Sequence, residues 1–423
     1  MKKAATYSLI VLTTVAAAGA FMRAMPWLQV DLSFEKIRHA HSHLGFLGWL
    51  FSAYILVLLR LFLPKEKAWS RDKQQLFYAA LVTAVLMFPA FWLWGYKAPA
   101  IALLTLHSLL AWVLLVKIWR QASVPGKPSG WFLKAAIFFF FLSSLGPFAI
   151  PFIQVFGDGS PVSVRLAVHF YLHFQYSGWF VFGFLAMLYR FLEIQGGMIP
   201  HRVAAIHLGI AGAATAPLYI LTAPALNDSL NSVYQHLSWL IDSAPWWQLA
   251  AMLLFLFFAW RQWPGKQVST AWPGVFALSV LTIKVLLEWL VFLPPFSNFI
   301  DPGNHFLIIT YLHLLFLGMA TPAVWWMYGG FGWLPADRPA FGWWGSCFLT
   351  GFVITEGLLL AMGLGWATVW FTEGLLAGAV LMLAGVGGVL VLQMKPESEV
   401  LPQAKGMMNP IELPIAAGEK KYE

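Results

Sequence analysis

Charged residues and cysteines are both scarce in this 423-residue chain. Asp, Glu, Lys and Arg make up only 10% of it and 60% is hydrophobic, so a soluble domain of this length could not cover its apolar surface. The only cysteine, Cys347, excludes an internal disulfide framework and a zinc site built from cysteines. The sequence also lacks a phosphate-binding loop, a nucleophile elbow and an H-E-x-x-H motif, which argues against kinase, hydrolase and zinc-protease chemistry.

The hydrophobic residues fall in runs long enough to cross a bilayer. Because every backbone polar group in lipid must be satisfied within the protein, such runs predict helices and an all-α, polytopic membrane bundle. We interpret the first run as a helix rather than a cleaved signal peptide. Residues 1–393 are predicted to form a single transmembrane domain, and the polar residues 394–423 a disordered cytoplasmic tail. About twelve spans are predicted, at residues 5–26, 41–63, 75–96, 98–118, 132–155, 163–191, 202–224, 245–262, 271–294, 304–328, 342–364 and 368–393.

Basic residues mark alternate loops between these spans. This pattern predicts that both termini face the cytoplasm, in a bacterial-type inner membrane, and that even-numbered spans run from outside to inside. It also accounts for the net charge of +8 without a nucleic-acid partner. The residues that carry the pattern are Lys2, Lys3, Lys65, Lys67, Arg71, Lys73, Lys117, Arg120, Lys127, Lys134, Arg202, Arg261, Lys266 and Arg338.

A histidine motif, H-x3-H-x4-G-W, opens the second predicted span and returns at the start of the sixth. A degenerate third copy opens the tenth span, where the first histidine of the pair is replaced by Ile309. The predicted topology places all three copies in the outer half of the membrane. The copies comprise His39, His43, Gly48 and Trp49; His169, His173, Gly178 and Trp179; and His313 and Gly318.

Repeated histidines at one depth favour a haem or metal site. Imidazole is a common ligand of haem iron and copper, and intramembrane ionisable groups usually have a function. His41 and His305 lie close to the motif copies, and the polar segment 223–236 brings His236 toward the same side. The alternative is that these histidines only hydrogen-bond neighbouring helices, with the glycines allowing close packing.

This arrangement resembles the catalytic subunit of the haem–copper oxidase and nitric oxide reductase superfamily. It is also similar to a more distant twelve-helix haem–copper family linked to nitric oxide resistance. The resemblance rests on about twelve spans with histidines at the outer ends of helices two, six and ten. It implies three arcs of four helices around a pseudo-threefold axis. It further implies a haem b, a possible copper, a cytochrome c-like electron donor or other respiratory subunits and, if the chain is an enzyme, an oxidoreductase.

The resemblance also implies roles for individual histidines. His43, or else His41 or His39, would bind a low-spin haem together with a histidine of helix ten, where His313 is favoured over His305. His169, His173 and His236 are the candidate copper ligands. Arg165, at the outer end of helix six, is a candidate partner for a haem propionate, although it could also extend to the lipid interface.

The chain departs from this family at several positions. The region from His201 to Gly209 has histidines only near the inner end of helix seven and lacks the family's adjacent pair. Helix six lacks the family's Pro and Tyr after its histidine, and helix ten lacks the closely spaced His-x-His. These departures argue against turnover as a terminal oxidase and favour a divergent member that transfers electrons or reacts with a small diatomic molecule such as nitric oxide or oxygen.

Four charged residues inside the last spans are further candidates. Lys284 and Glu288 are four residues apart and predict an ion pair, which could be structural, part of a proton path or a clamp on a propionate. Glu356 and Glu373 have no partner nearby in the sequence and could carry protons or bond to helix backbones. Two other functions stay open: a transition-metal or proton transporter that uses the histidines, and a metal-free assembly subunit of a respiratory complex.

Overall fold

The computed structural model describes residues 1–28, 30–157, 159–197, 199–222, 228–262, 268–290, 304–366 and 369–395. These residues form helices and short connections, with no β-strand among them, and twelve helices are long and apolar enough to cross a membrane. The prediction of an all-α, multi-pass membrane bundle is confirmed, whereas most of the predicted tail, 396–423, lies outside the described residues. The spans are α1 Lys2–Leu28, α2 Phe34–Phe62, α3 Lys65–Trp94, α4 Ala98–Gln121, α5 Pro128–Phe156, α6 Pro161–Ile194, α7 His201–Leu221, α8 Asn231–Gln262, α9 Trp272–Trp289, α10 His305–Gly330, α11 Pro339–Gly363 and α12 Phe371–Met394.

Local sequence signals explain several of the helix ends. Ser33 caps α2 by accepting a hydrogen bond from the Lys36 backbone N–H, and this extends α2 seven residues upstream of its predicted start at 41. Proline occupies one of the first two positions of α4, α5, α6 and α11, where its missing N–H costs no helical hydrogen bond. The residues before α8 are helical from Asp228, and α8 itself is kinked at Leu237.

The twelve helices pack as three successive groups of four. In each group the first helix packs against the second and the third against the fourth, as in α1–α2 and α3–α4. The fourth helix then packs on the first helix of the next group, as in α4–α5 and α8–α9. The ring is closed by α12 against α1, where the Gln393 side chain donates to the Thr6 hydroxyl over 3.4 Å. The pseudo-threefold arrangement therefore appears in the packing.

The second helix of each group, α2, α6 and α10, lies at the centre and contains a π-helical segment. The three segments are Leu44–Leu50, Phe174–Phe180 and Leu314–Ala320, and each begins directly after a histidine of the repeated motif. The same i→i−5 hydrogen bond recurs at the same distance from each histidine: Phe51 N–H to Phe46 O, Val181 N–H to Tyr176 O and Thr321 N–H to Phe316 O. The sequence repeat is thus also a repeat of backbone geometry, of a kind often found near functional sites.

Three phenylalanine rings join the inner helices. The ring centroids of Phe46 and Phe316 lie 4.9 Å apart, and Phe180 lies 5.4 Å from each of them. Trp49 on α2 also donates to the Thr321 hydroxyl on α10 over 3.1 Å. These contacts join α2, α6 and α10 at residues that follow their histidines.

The motif glycines allow the inner helices to pack closely. A Cβ on Gly178 would overlap the Phe139 side chain of α5, and one on Gly318 would lie 2.8 Å from the Phe352 ring of α11. A Cβ on Gly48 would lie 3.0 Å from Val11 of α1. Side chains of neighbouring helices already fill the space beside these glycines, so their role is helix packing.

Glycines let α11 and α12 pack closely, and Gly385 provides a test of this packing. A Cβ at position 385 would lie 2.6 Å from the Phe348 nitrogen and 2.7 Å from the Trp344 oxygen, whereas one on Gly387 meets nothing within 4 Å. We expect Gly385→Ala to lower the free energy of unfolding in detergent by about 1–3 kcal/mol, because the backbones must separate. Gly387→Ala should be neutral or stabilising by about 0.5–1 kcal/mol. Equal effects of the two variants would contradict this packing.

Candidate functional site

His41 on α2 points toward the first helix of the bundle. Its Nδ1 lies 3.0 Å from the backbone oxygen of Val15. The ring fits there because Gly19 has no side chain: a Cβ at that position would lie 3.2 Å from the His41 Cε1. With the proton on Nδ1 donated to the carbonyl, the other ring nitrogen, Nε2, carries the free lone pair.

His313 on α10 has a similar arrangement, with a carboxylate as the acceptor. Its Nδ1 lies 2.9 Å from Oε1 of Glu356 on α11. The other carboxylate oxygen of Glu356 is buried and has no hydrogen-bond partner among the described residues. The His313 side chain is 24% exposed, so the ring borders open space instead of being enclosed in the core.

These two histidines belong to one group of polar residues, which we call the α2–α10 cluster: Arg23, His41, His313 and Glu356. His41 is close enough to His313 and to Arg23 for electrostatic interaction, and Arg23 is likewise close to Glu356. In both histidines Nδ1 is held by an acceptor on a different helix. Neither Nε2 has a hydrogen-bond partner within the described part of the chain.

His43 and His39 lie on a different side of α2. The Nε2 of His43 is 2.7 Å from the Tyr96 hydroxyl, and its ring stacks on Phe91 of α3 at a centroid distance of 4.2 Å. His39 packs edge-on against the same Tyr96 and lies 3.6 Å from a Glu35 oxygen. The resemblance favoured His43 as the α2 residue that pairs with helix ten. In the structure His41 is the α2 histidine that lies within electrostatic range of His313.

The predicted copper ligands are not gathered into one site. The Nε2 of His173 lies 2.8 Å from the Thr215 backbone oxygen, and His169 stacks on Tyr219 at a centroid distance of 5.2 Å. The two imidazoles are 6.2 Å apart, whereas His236 is exposed and bonded within its own helix. Among the described residues no group of three His, Cys, Asp or Glu side chains is arranged to hold a metal ion.

Three other predicted residues lie outside the α2–α10 cluster. His305 and Arg165 are exposed at the starts of α10 and α6. Glu373 is exposed in the first turn of α12, where its charge is favourable for the helix dipole. Their positions suit helix ends and the membrane surface better than a cofactor site.

Lys284 and Glu288 form the predicted ion pair. Lys284 Nζ lies 2.6 Å from Glu288 Oε1, with the lysine 1% and the glutamate 13% exposed. Tyr311 of α10 donates a hydrogen bond to the same oxygen over 3.3 Å. The Tyr176 ring of α6 lies 5.3 Å from the Tyr311 ring and 6.0 Å from His173, so this pair is near the α6 histidines.

Several partners in these sites could not be identified from the sequence. Arg23 and Glu356 are far from the histidines along the chain, and Tyr96 follows the end of a different helix. The closest signal was the triplet Tyr311-Leu312-His313, which echoes the triplet that ends at His173. Its tyrosine proved to be the hydrogen-bond donor to Glu288.

A scan against models of protein families finds no match to this chain, and a search of curated proteins finds no similar sequence. No family is therefore assigned.

The Lys284–Glu288 pair predicts a non-additive effect on stability. Lys284→Met or Glu288→Leu alone should lower the free energy of unfolding by about 3–5 kcal/mol, because each leaves one charge buried without its partner. The double variant should lose less than either single variant, since no unpaired charge remains. Unfolding in mixed micelles measures all three, and additive losses would show that the two residues do not act as a pair.

Proposed function

We propose that this chain is an integral membrane protein that binds haem b between α2 and α10, with His41 and His313 as the axial ligands. The observation that carries the proposal is the matched state of the two imidazoles. Each lies on an inner helix, has its Nδ1 held by an acceptor on a neighbouring helix and keeps its Nε2 free. Histidine ligands in proteins usually have this second hydrogen bond, because it fixes the tautomer and the orientation of the ring.

The hydrogen-bond acceptors of the two histidines differ in charge, which would make the two imidazoles unequal in their strength as ligands. The Val15 carbonyl orients His41 without adding charge, whereas the Glu356 carboxylate draws the Nδ1 proton of His313 and makes its Nε2 a stronger donor to a metal. Arg23 adds a cation next to this carboxylate and is a better candidate for a haem propionate than the exposed Arg165. The donor set thus fits a bis-imidazole haem.

The bound haem would supply one-electron chemistry. If His41 and His313 both held the haem, the α2–α10 cluster would favour electron transfer over reaction with oxygen or nitric oxide. The proposal does not include copper, because His169 and His173 are hydrogen-bonded or stacked elsewhere and are not joined by a third ligand. The same observation gives little support to a transition-metal transporter.

We further propose a bacterial-type inner membrane as the location, with both termini in the cytoplasm and a cytochrome c-like protein or a respiratory subunit as electron donor. The distribution of Lys and Arg supports this orientation. It places the α2–α10 cluster in the outer half of the membrane, within reach of a donor on that side. A C-terminal reporter that is fluorescent only in the cytoplasm should give a signal. A silent reporter would show that the C-terminus faces the other side of the membrane and would contradict the proposed topology.

The first test of haem binding is the absorption spectrum of the detergent-purified protein, before and after reduction with dithionite. We expect a Soret band and sharp reduced α-bands. His41→Ala and His313→Ala should each abolish the low-spin spectrum, because one axial ligand is lost. His43→Ala is the matched control: it removes a histidine two residues away that is bonded to Tyr96, and it should keep the spectrum.

Two results would contradict the assignment. A protein without visible absorbance, after expression with sufficient haem, would exclude haem binding. Loss of the low-spin spectrum in His43→Ala but not in His41→Ala would move the α2 ligand to the other side of the helix.

A second test concerns Glu356. Glu356→Gln keeps the shape of the side chain but removes the negative charge beside His313. We expect the midpoint potential of the haem to rise, by about 60 mV for each tenfold loss of preference for the oxidised iron. Glu373→Gln, on the exposed first turn of α12, is the control and should leave the potential unchanged. Equal midpoint potentials in the two variants would show that the charge of Glu356 does not act on the haem through His313.

A further inference from the structure

A small cavity lies among α6, α7, α8 and α9, away from the α2–α10 cluster. Most of its lining is apolar, but three buried polar side chains reach it: His207 of α7, Gln248 of α8 and Lys284 of α9. Its volume is about 10 Å³, close to the smallest space that holds one water molecule. The cavity is therefore too small for an organic ligand.

Each of the three polar side chains has hydrogen-bonding capacity left over. Lys284 has three N–H donors and bonds to Glu288. His207 uses Nδ1 for the Tyr189 hydroxyl, 3.0 Å away, and Nε2 has no partner in the described ranges. Gln248 donates to the Ala211 oxygen over 3.3 Å. Since buried polar groups without partners are costly, a water that bonds two to four of them stabilises the bundle.

We propose that this cavity holds a water that links the Lys284–Glu288 pair to His207 and Tyr189. The linked groups form a route for proton exchange that runs alongside the second half of α6. At one end of the route Tyr311 donates to Glu288, close to Tyr176 and His173. At the other end Tyr189 is close to Glu193, in the last turn of α6. This route does not depend on bound haem.

The surroundings of the route favour exchange along it. The rings of Phe132 and Phe255 lie 5.0 and 5.3 Å from the His207 ring and cover it with apolar surface. At the end of α6, Glu193 accepts hydrogen bonds from the Ser129 backbone and hydroxyl and pairs with Arg190. The glutamate is 13% exposed, so it connects the buried groups to the end of the bundle.

Protons are conserved in each step. Lys284 passes an ammonium proton to Glu288, and the resulting amine takes a proton from the water. The water is restored by the Nε2–H of His207, and Nδ1 of His207 accepts the proton of the Tyr189 hydroxyl. A solvent proton at the Glu193 end then reprotonates Tyr189. One ammonium proton afterwards leaves to solvent through the same groups in reverse, which restores the starting tautomer of His207, and Glu288 returns its proton to Lys284, so no oxidant or other reactant is needed.

The test uses the full-length protein, labelled with [15N]lysine, in lipid bilayers. The Lys284 ammonium signal is assigned by its absence from the Lys284→Met/Glu288→Leu variant, which leaves no unpaired buried charge. Solid-state NMR should show a cross-peak from this ammonium to a bound water. His207→Phe should slow its exchange with solvent at least tenfold, because the imidazole that passes on the proton is gone.

The matched control is His107→Phe. His107 is a buried histidine of α4 whose Nδ1 lies 3.0 Å from the Ala80 backbone oxygen, and it does not line the cavity. This variant should exchange Lys284 protons at the wild-type rate. If His207→Phe does not fold, Gln248→Leu serves instead and should weaken the water cross-peak. A missing cross-peak in the wild type would overturn the water site, and equal rates in His207→Phe and His107→Phe would overturn the route.

Discussion

The contact of three phenylalanine rings at the centre of the bundle positions every other feature of the site. Phe46, Phe180 and Phe316 come from the three inner helices and lie about one ring diameter apart. Lipid gives packed helices little hydrophobic driving force, so close contact of side chains and a few hydrogen bonds must hold them together. The hydrogen bond from Trp49 to Thr321 adds such a polar link between α2 and α10. With these helices fixed, His41 and His313 approach each other.

The π-helical segments set the rotation of each inner helix, and the spacing of the histidines then sets their partners. An i→i−5 turn holds an additional residue, which rotates the helix before the segment relative to the helix after it. The residues before the segment can then turn toward outer helices while Phe46 and Phe316 face the centre. His41 and His43 are two residues apart, about 200° around an α-helix, so His41 lies beside α1 and His43 beside α3. One turn of α2 therefore carries two kinds of site.

Hydrophobicity alone was sufficient to predict the twelve helices, because a bilayer demands long apolar runs. The Lys284–Glu288 pair was also predictable, since residues four apart share a helix face. The contact of Glu356 with His313 was not, because the two residues lie on helices whose relative rotation has no local signal. The choice among His39, His41 and His43 also has no local signal, because the rotation of α2 about its axis is set by packing against its neighbours.

The closure of the ring by α1 and α12 has a consequence for biosynthesis. Among the described helices α1 comes first in the sequence, and it has a face, including Ala4, Ala5 and Leu9, that is completely buried in the finished bundle. Its partner α12 comes last among them, so this face can be covered only after the other spans have been made. Contacts between distant parts of a chain form slowly. Closure by α12 is therefore the step at which a newly made chain commits to its final form.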